Sequence, residues 1–285
     1  MRKLGLVAFA IAFSLVWSSA FIAGKIALVR FDPATLLTLR FGLSALLLAP
    51  FASLGAARIG LIVGALNNAL YLGLTFWALQ LTRPVVVVAI VSCAPFVTGL
   101  VAAATGIERV RARQFLGFAV GVVGVGFITG FDFSGANAEG FTLAALGVCA
   151  FSVATLVIRA KAGGLPAPAL TFWQSFAGAV LLAPIALANG GARAEIGAGG
   201  FLEPSVYALV YLVIVATLIG MAMWIALVRL AGAARASACH LMNPFFGALL
   251  AWIVLGQPLR ATDFLGAAAI AAGLVLALDL GRGRA

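Results

Sequence analysis

The chain repeats itself, and each copy contains five apolar runs. Pro95-Phe96 stands 149 residues before Pro244-Phe245. The same offset relates Glu108 to Gln257, Phe115-Leu116-Gly117 to Phe264-Leu265-Gly266, and Gly124 to Gly273. Earlier in each copy an offset of 134 pairs Trp17 with Phe151, Lys25 with Arg159, Arg40 with Gln174, and Leu48-Ala49-Pro50 with Leu182-Ala183-Pro184. An odd number of spans per copy makes the second copy enter a bilayer from the opposite side. Inverted repeats of this kind build carriers whose two halves move about a site near the midplane.

Composition agrees with a bilayer. The chain is 64% hydrophobic and 9% charged, against roughly 45–50% and about 25% for a globular domain. No stretch is long or polar enough for a water-soluble unit, so one membrane domain is expected over residues 1–285, with repeat one at 1–135 and repeat two at 136–285. The fold class is an all-α integral membrane protein of ten transmembrane helices in two inverted five-helix repeats. A span needs roughly 20 mostly apolar residues. Charges, prolines and glycine clusters place spans near 4–29, 33–54, 58–80, 84–104 and 112–130. The second set lies near 141–161, 167–189, 204–229, 234–256 and 262–281. Met1-Arg2-Lys3 and the following apolar run resemble a signal peptide, but the run carries part of the repeat and reads as a retained first span.

The net charge of +10 raises the question of nucleic acid, and its placement answers it. Basic residues stand singly at the ends of apolar runs. With both termini cytoplasmic, four of the 18 Lys and Arg (Arg30, Arg83, Arg193, Arg260) face outward and two (Lys25, Arg40) lie within spans. The other 12 face inward, as the positive-inside rule requires. A bacterial inner membrane, a lipid partner, no nucleic-acid partner and a monomer or weak homodimer follow as expectations. Cys93, Cys149 and Cys239 lie in apolar runs without paired spacing, so each reads as a buried small hydrophobe, not a metal ligand or disulfide half. No cofactor and no metal are expected.

The acids all fall at span ends or in loops, as with Asp32, Glu108 and Asp263. A proton- or cation-coupled carrier normally places a carboxylate at mid-depth, so carboxylate-based coupling is disfavoured. Phosphorylated substrates call for a cluster of Arg and Lys, and only Lys25 and Arg40 lie within spans. Lys25 is close enough to an end to snorkel. Arg40 is about two turns into its span and reads either as a structural contact or as a partner for a substrate carboxylate.

The groups left at depth are neutral-polar and aromatic. Asn67, Tyr71 and Thr75 share one helix face, and Thr217, Met221 and Trp224 share another. Pro95 and Pro244 interrupt equivalent spans, and such breaks line binding sites in carriers. Helices four and nine are therefore expected along the pathway, with a structural kink as the alternative. Trp17 lies too deep for an interfacial belt. His240 reads as a hydrogen-bonded structural residue, a substrate contact or a pH-sensitive element. The substrate-binding candidates are Trp17, Asn67, Tyr71, Ser92, Pro95, Trp224, His240, Asn243 and Pro244. Gly117, Gly121 and Gly124 match Gly266 and Gly273, so helices five and ten are expected to approach closely, within the chain or across a dimer.

Taken together, Pro95-Phe96, Ile107-Glu108 and Gln114-Phe115-Leu116-Gly117, repeated as Pro244-Phe245, Gly256-Gln257 and Asp263-Phe264-Leu265-Gly266, resemble the EamA-type drug/metabolite transporter superfamily. Trp17-Ser18-Ser19-Ala20-Phe21 resembles that family's first helix. The likeness covers the whole chain and departs at Gln257, where the family usually has Glu. That glutamate sits at a helix end and is read as structural. The resemblance extends to YddG-like aromatic amino-acid exporters. It implies a central cavity enclosed by helices one, three, four, six, eight and nine, with five and ten behind. The expected function is export of small neutral metabolites, foremost aromatic or aliphatic amino acids, by alternating access through a central apolar cavity. Lipophilic drugs or nucleosides are the alternative cargo. A membrane-embedded enzyme or receptor-like scaffold is remote, since one His and no mid-depth acid leave no base–nucleophile pair.

Overall fold

The computed structural model describes residues 3–82, 84–131, 137–189, 203–256 and 258–278. Arg2, Arg83, Asp132, Arg193, Glu195, Gln257, Asp279, Arg282 and Arg284 lie outside them. Among the described residues the apolar helices are α1 (Gly5–Ala27), α2 (Pro33–Phe51), α3 (Leu54–Leu81), α4 (Val86–Ala104), α5 (Ala112–Thr129), α6 (Ala138–Lys161), α7 (Ala167–Ala188), α8 (Pro204–Ala231), α9 (Ala233–Val254) and α10 (Ala261–Ala277). Among the described residues the first nine are long and apolar enough to cross a bilayer, and α10 is apolar but shorter. Their limits fall within a few residues of the expected spans.

Polarity is inverted relative to a water-soluble fold. Leu46, Leu100, Leu187, Ile253 and Leu265 stand on the outside at 60–75% exposure, whereas Ser14, Asn68, Thr98, Gln174, Thr217 and His240 are buried. Lipid offers no hydrogen bonds, so polar groups go inward and apolar ones outward. Trp252 is half exposed on that outer surface. The expectation of three buried cysteines is corrected: only Cys239 is buried, Cys93 is half-buried and Cys149 is exposed. Cys149 falls on the outward face of α6, where a small apolar side chain needs no cover.

Helix ends carry the charges. Asp32 caps α2, its carboxylate accepting from the N–H groups of Ala34 and Thr35, and it also accepts from the Asn189 amide. Arg30 pairs with Glu203 before α8. At the other end of the molecule Arg229 donates to the carbonyls of Ala162 and Leu165. Equivalent positions begin α5 and α10: Gln114 accepts from the Arg111 N–H at 2.9 Å, and Asp263 from the Arg260 N–H at 2.7 Å. Each satisfies a donor that the first helical turn leaves open.

Repeat-equivalent helices pack on each other, most extensively α5 on α10 and α2 on α7. Glycine permits the first pair. A Cβ at Gly117 would stand 2.5 Å from the Gly273 carbonyl oxygen, and one at Gly124 would stand 2.6 Å from that of Gly266. The close approach of five and ten is therefore made within the chain. Gly121 instead faces the Leu241 side chain of α9.

Candidate functional site

The breaks expected at Pro95 and Pro244 are present, and two further ones accompany them. In α3 residues Gly64–Leu72 form a π-helical segment, and in α8 residues Leu212–Ile219 form another. The two correspond across the repeat. Wide i→i+5 turns are uncommon and concentrate at functional sites. Each carries a polar side chain at mid-helix: Asn67 and Asn68 in α3, Thr217 in α8. Thr217 Oγ1 donates to the Leu212 carbonyl five residues back.

In α4 the helix turns at Ser92-Cys93 and restarts at Ala94-Pro95. In α9 a tight 3-10 segment, Cys239–Met242, precedes Asn243-Pro244. The Asn243 N–H bonds to His240 O instead of Cys239 O, so that carbonyl takes no i→i+4 bond. Ser14 of α1 donates to it at 3.0 Å. One turn along α1, Ser18 Oγ reaches Asn243 Oδ1 and O at 3.4 Å. The Asn243 amide nitrogen lies 2.9 Å from His240 Nδ1. With Asn donating, the imidazole carries its proton on Nε2, which has no hydrogen-bond partner.

Around that imidazole runs an arc of four rings. Phe13, Trp17, Phe151 and Trp224 have centroids 5.7, 5.5, 5.0 and 5.1 Å from His240. Phe13 bridges Trp17 and Trp224, and Phe151 continues to Tyr71 at 5.0 Å. The arc thus draws on α1, α3, α6, α8 and α9. All these rings are buried. The expectation of an open central cavity is corrected here: the rings fill the space they were expected to line. A 310 Å³ cavity lies instead between the α1–α2 turn and α3, and a 450 Å³ apolar groove between α2 and α7.

Of the candidates, Trp17, Tyr71, Trp224, His240 and Asn243 come together, with Pro244 beside Asn243. Three stand apart. Asn67 donates to its neighbour Asn68 at 2.9 Å, Ser92 donates to the Val88 carbonyl of its own helix, and Pro95 begins the second segment of α4. The sequence reading missed Phe13, Ser14, Ser18 and Phe151 as members. Phe13 and Trp17 are four apart on one helix face, as are Ser14 and Ser18, and Phe151 is the repeat counterpart of Trp17; those spacings were the available signals.

Glu108 has a defined task. Its carboxylate accepts from the N–H groups of Ala233 (2.8 Å) and Ala234 (3.1 Å) and pairs with Arg159 at 2.8 Å. It therefore caps α9 from the loop after α4. Gly232, at φ 90°, makes this possible: a Cβ there would stand 2.6 Å from Glu108 Oε1.

The EamA-like transporter profile matches residues 4–130 and again residues 138–278. The chain belongs to the EamA-like transporter family. Members are transporters of small metabolites and not enzymes, so this EamA protein is a multi-pass membrane transporter built from two EamA repeats. A solved structure titled only as the crystal structure of a protein superposes with a TM-score of 0.81 at 20% identity, covering 99% of this chain and 100% of that one. At that identity the likeness speaks for the fold alone. No curated protein matches the sequence.

Proposed function

We propose that this EamA protein exports small neutral metabolites, foremost aromatic or aliphatic amino acids, by alternating access. It would do so from a bacterial inner membrane, as one membrane domain of ten spans in two inverted repeats with both termini cytoplasmic. The 17 residues of α10 rise about 26 Å at 1.5 Å each, near the lower limit for a span. The observation that carries the substrate reading is the aromatic arc around His240, with Asn243 and Ser18 at its edge. Its rings supply apolar stacking surface. The Asn243 amide and the Ser18 hydroxyl supply donors and acceptors for the polar groups of a zwitterion. Trp17, Tyr71, Trp224, His240, Asn243 and Pro244 are the inner contacts in this reading, and Asn67, Ser92 and Pro95 act through the bends of α3 and α4.

The packed centre fits a carrier between its open states, since alternating access requires the site to close to both sides. Lipophilic drugs or nucleosides remain the second reading, because a neutral aromatic surface suits them too. The test is uptake of a labelled amino-acid panel into liposomes holding the purified protein, with and without a pH gradient. Uptake of aromatic or branched amino acids indifferent to the gradient is expected. Uptake of dyes or nucleosides with no amino-acid flux would overturn the substrate reading. Trp17→Ala and Asn243→Ala should each lower flux at unchanged expression, and unchanged flux in both would remove the site assignment.

A further inference from the structure

Arg40 lies buried in α2 at 4% exposure, about 10 Å into the helix from Pro33 at 1.5 Å per residue. No anion among the described residues pairs with it. Among the described residues its side chain makes one hydrogen bond, Nε donating to Thr217 Oγ1 of α8 at 2.8 Å, and its guanidinium stacks 5.4 Å from the Phe41 ring. The ion pairs seen among the described residues join Arg30 to Glu203 and Arg159 to Glu108, both at helix ends. A buried charge without a partner is costly, and an ionisable residue inside a membrane is by default a functional one.

The single bond orients the group. The Thr217 hydroxyl hydrogen is committed to the Leu212 carbonyl, so its oxygen faces Arg40 as an acceptor. With Nε held there, the terminal nitrogens are left as a fork of donors with no hydrogen-bond partner among the described residues. Such a fork matches a carboxylate in bidentate fashion. The repeat makes the site single. The counterpart of Arg40 is Gln174, a neutral residue at 0% exposure whose amide nitrogen and oxygen are both unpaired. One charge therefore serves both halves, which suits one carboxylate and not a phosphate.

Along α8 the face that holds Thr217 continues through buried Met221 to Trp224, a ring of the arc. Seven residues separate Thr217 from Trp224, a rise of about 10 Å. A small carboxylate with an apolar body fits that separation, its head at Arg40 and its body toward the arc. We propose that Arg40 is the carboxylate-binding residue of the transport path, and that the cargo is a small organic carboxylate with an aromatic or apolar body. This rests on the transporter reading above and narrows it: amino acids keep the required group, whereas nucleosides and lipophilic amines lack it.

The test titrates phenylalanine, 3-phenylpropionate and phenylalanine amide into the full-length protein in lipid nanodiscs, following tryptophan fluorescence. Both acids should bind wild type at least tenfold more tightly than the amide. Arg40→Gln should erase that preference while leaving amide binding unchanged, and Arg40→Lys should retain part of it. A structural role for Arg40 would lower stability without altering the acid-to-amide ratio. The wild-type ratio needs no variant to fold. Equal binding of acid and amide would overturn the role of Arg40 and keep the amino-acid reading. Binding of 3-phenylpropionate without phenylalanine would support Arg40 and remove that reading. No binding of either acid would remove both.

Discussion

The two proline-marked breaks, one in α4 and one in α9, have the same backbone origin and different repairs. In α4 the repair is internal: the Cys93 N–H bonds to Ile90 O and its Sγ donates to the Ala89 carbonyl, while Ser92 Oγ adds a second bond to a Val88 carbonyl that already accepts from the Ser92 N–H. In α9 the Cys239 carbonyl, which takes no i→i+4 bond, accepts from Ser14 of another helix, and the tight segment presents His240 and Asn243 inward. The α4 residues in register with them are Val91 and Ala94. The same pattern recurs at mid-depth, where Arg40 reaches Thr217 while its counterpart Gln174 is unpaired. The repeat keeps the devices that shape backbone, namely π segments, helix caps and glycine contacts. Specific chemistry sits where the copies diverge.

Shared scaffold should fail alike in both copies. Gly117→Leu and Gly273→Leu each drive a side chain into the partner's backbone, and both should abolish monodisperse protein on size exclusion. Loss in one and tolerance in the other would break the symmetry of the α5–α10 contact. A smaller effect separates the copies at the cap. Glu108→Gln weakens a carboxylate that holds two N–H groups and Arg159, and should cost about 1–3 kcal/mol in thermal or denaturant unfolding. Gln257→Glu should change stability by less than about 0.5 kcal/mol. In register, Ala233 and Ala234 correspond to Pro84 and Val85, and Pro84 has no N–H to offer. A gain from Gln257→Glu equal to the loss from Glu108→Gln would contradict this. Least of all, Ser92→Ala should leave stability near wild type and lower flux only slightly, because the hydroxyl acts only on the bend of its own helix. A clear fall in flux would put Ser92 on the path itself.

Span limits, the repeat and the glycine pairing of α5 with α10 were legible in the sequence, because a bilayer imposes length and small residues permit close packing. Glu108 was legible as structural from its place at a helix end, though not its target, since the cap joins segments 125 residues apart. The π segments were not legible: Gly64–Leu72 and Leu212–Ile219 share no residue type that calls for an extra residue in the turn. Nor was the packed centre, because periodicity says which residues face inward and not whether they leave room. Ser92 and Asn67 looked like pathway residues by polarity alone, and their partners proved to be local.

The central claim is that transport chemistry resides in the diverged break of α9. The most direct test makes α9 like α4 at two positions, His240→Val with Asn243→Ala, and measures amino-acid counterflow in liposomes beside thermal stability. The two side chains are each other's hydrogen-bond partners, and Ser18 keeps the Asn243 main-chain carbonyl, so removing both leaves no buried polar group without a partner, while the smaller side chains leave a void against the rings that lowers stability. The expected result is a folded protein with a lowered midpoint and flux per folded protein reduced at least tenfold. Wild-type flux from this variant would contradict the account.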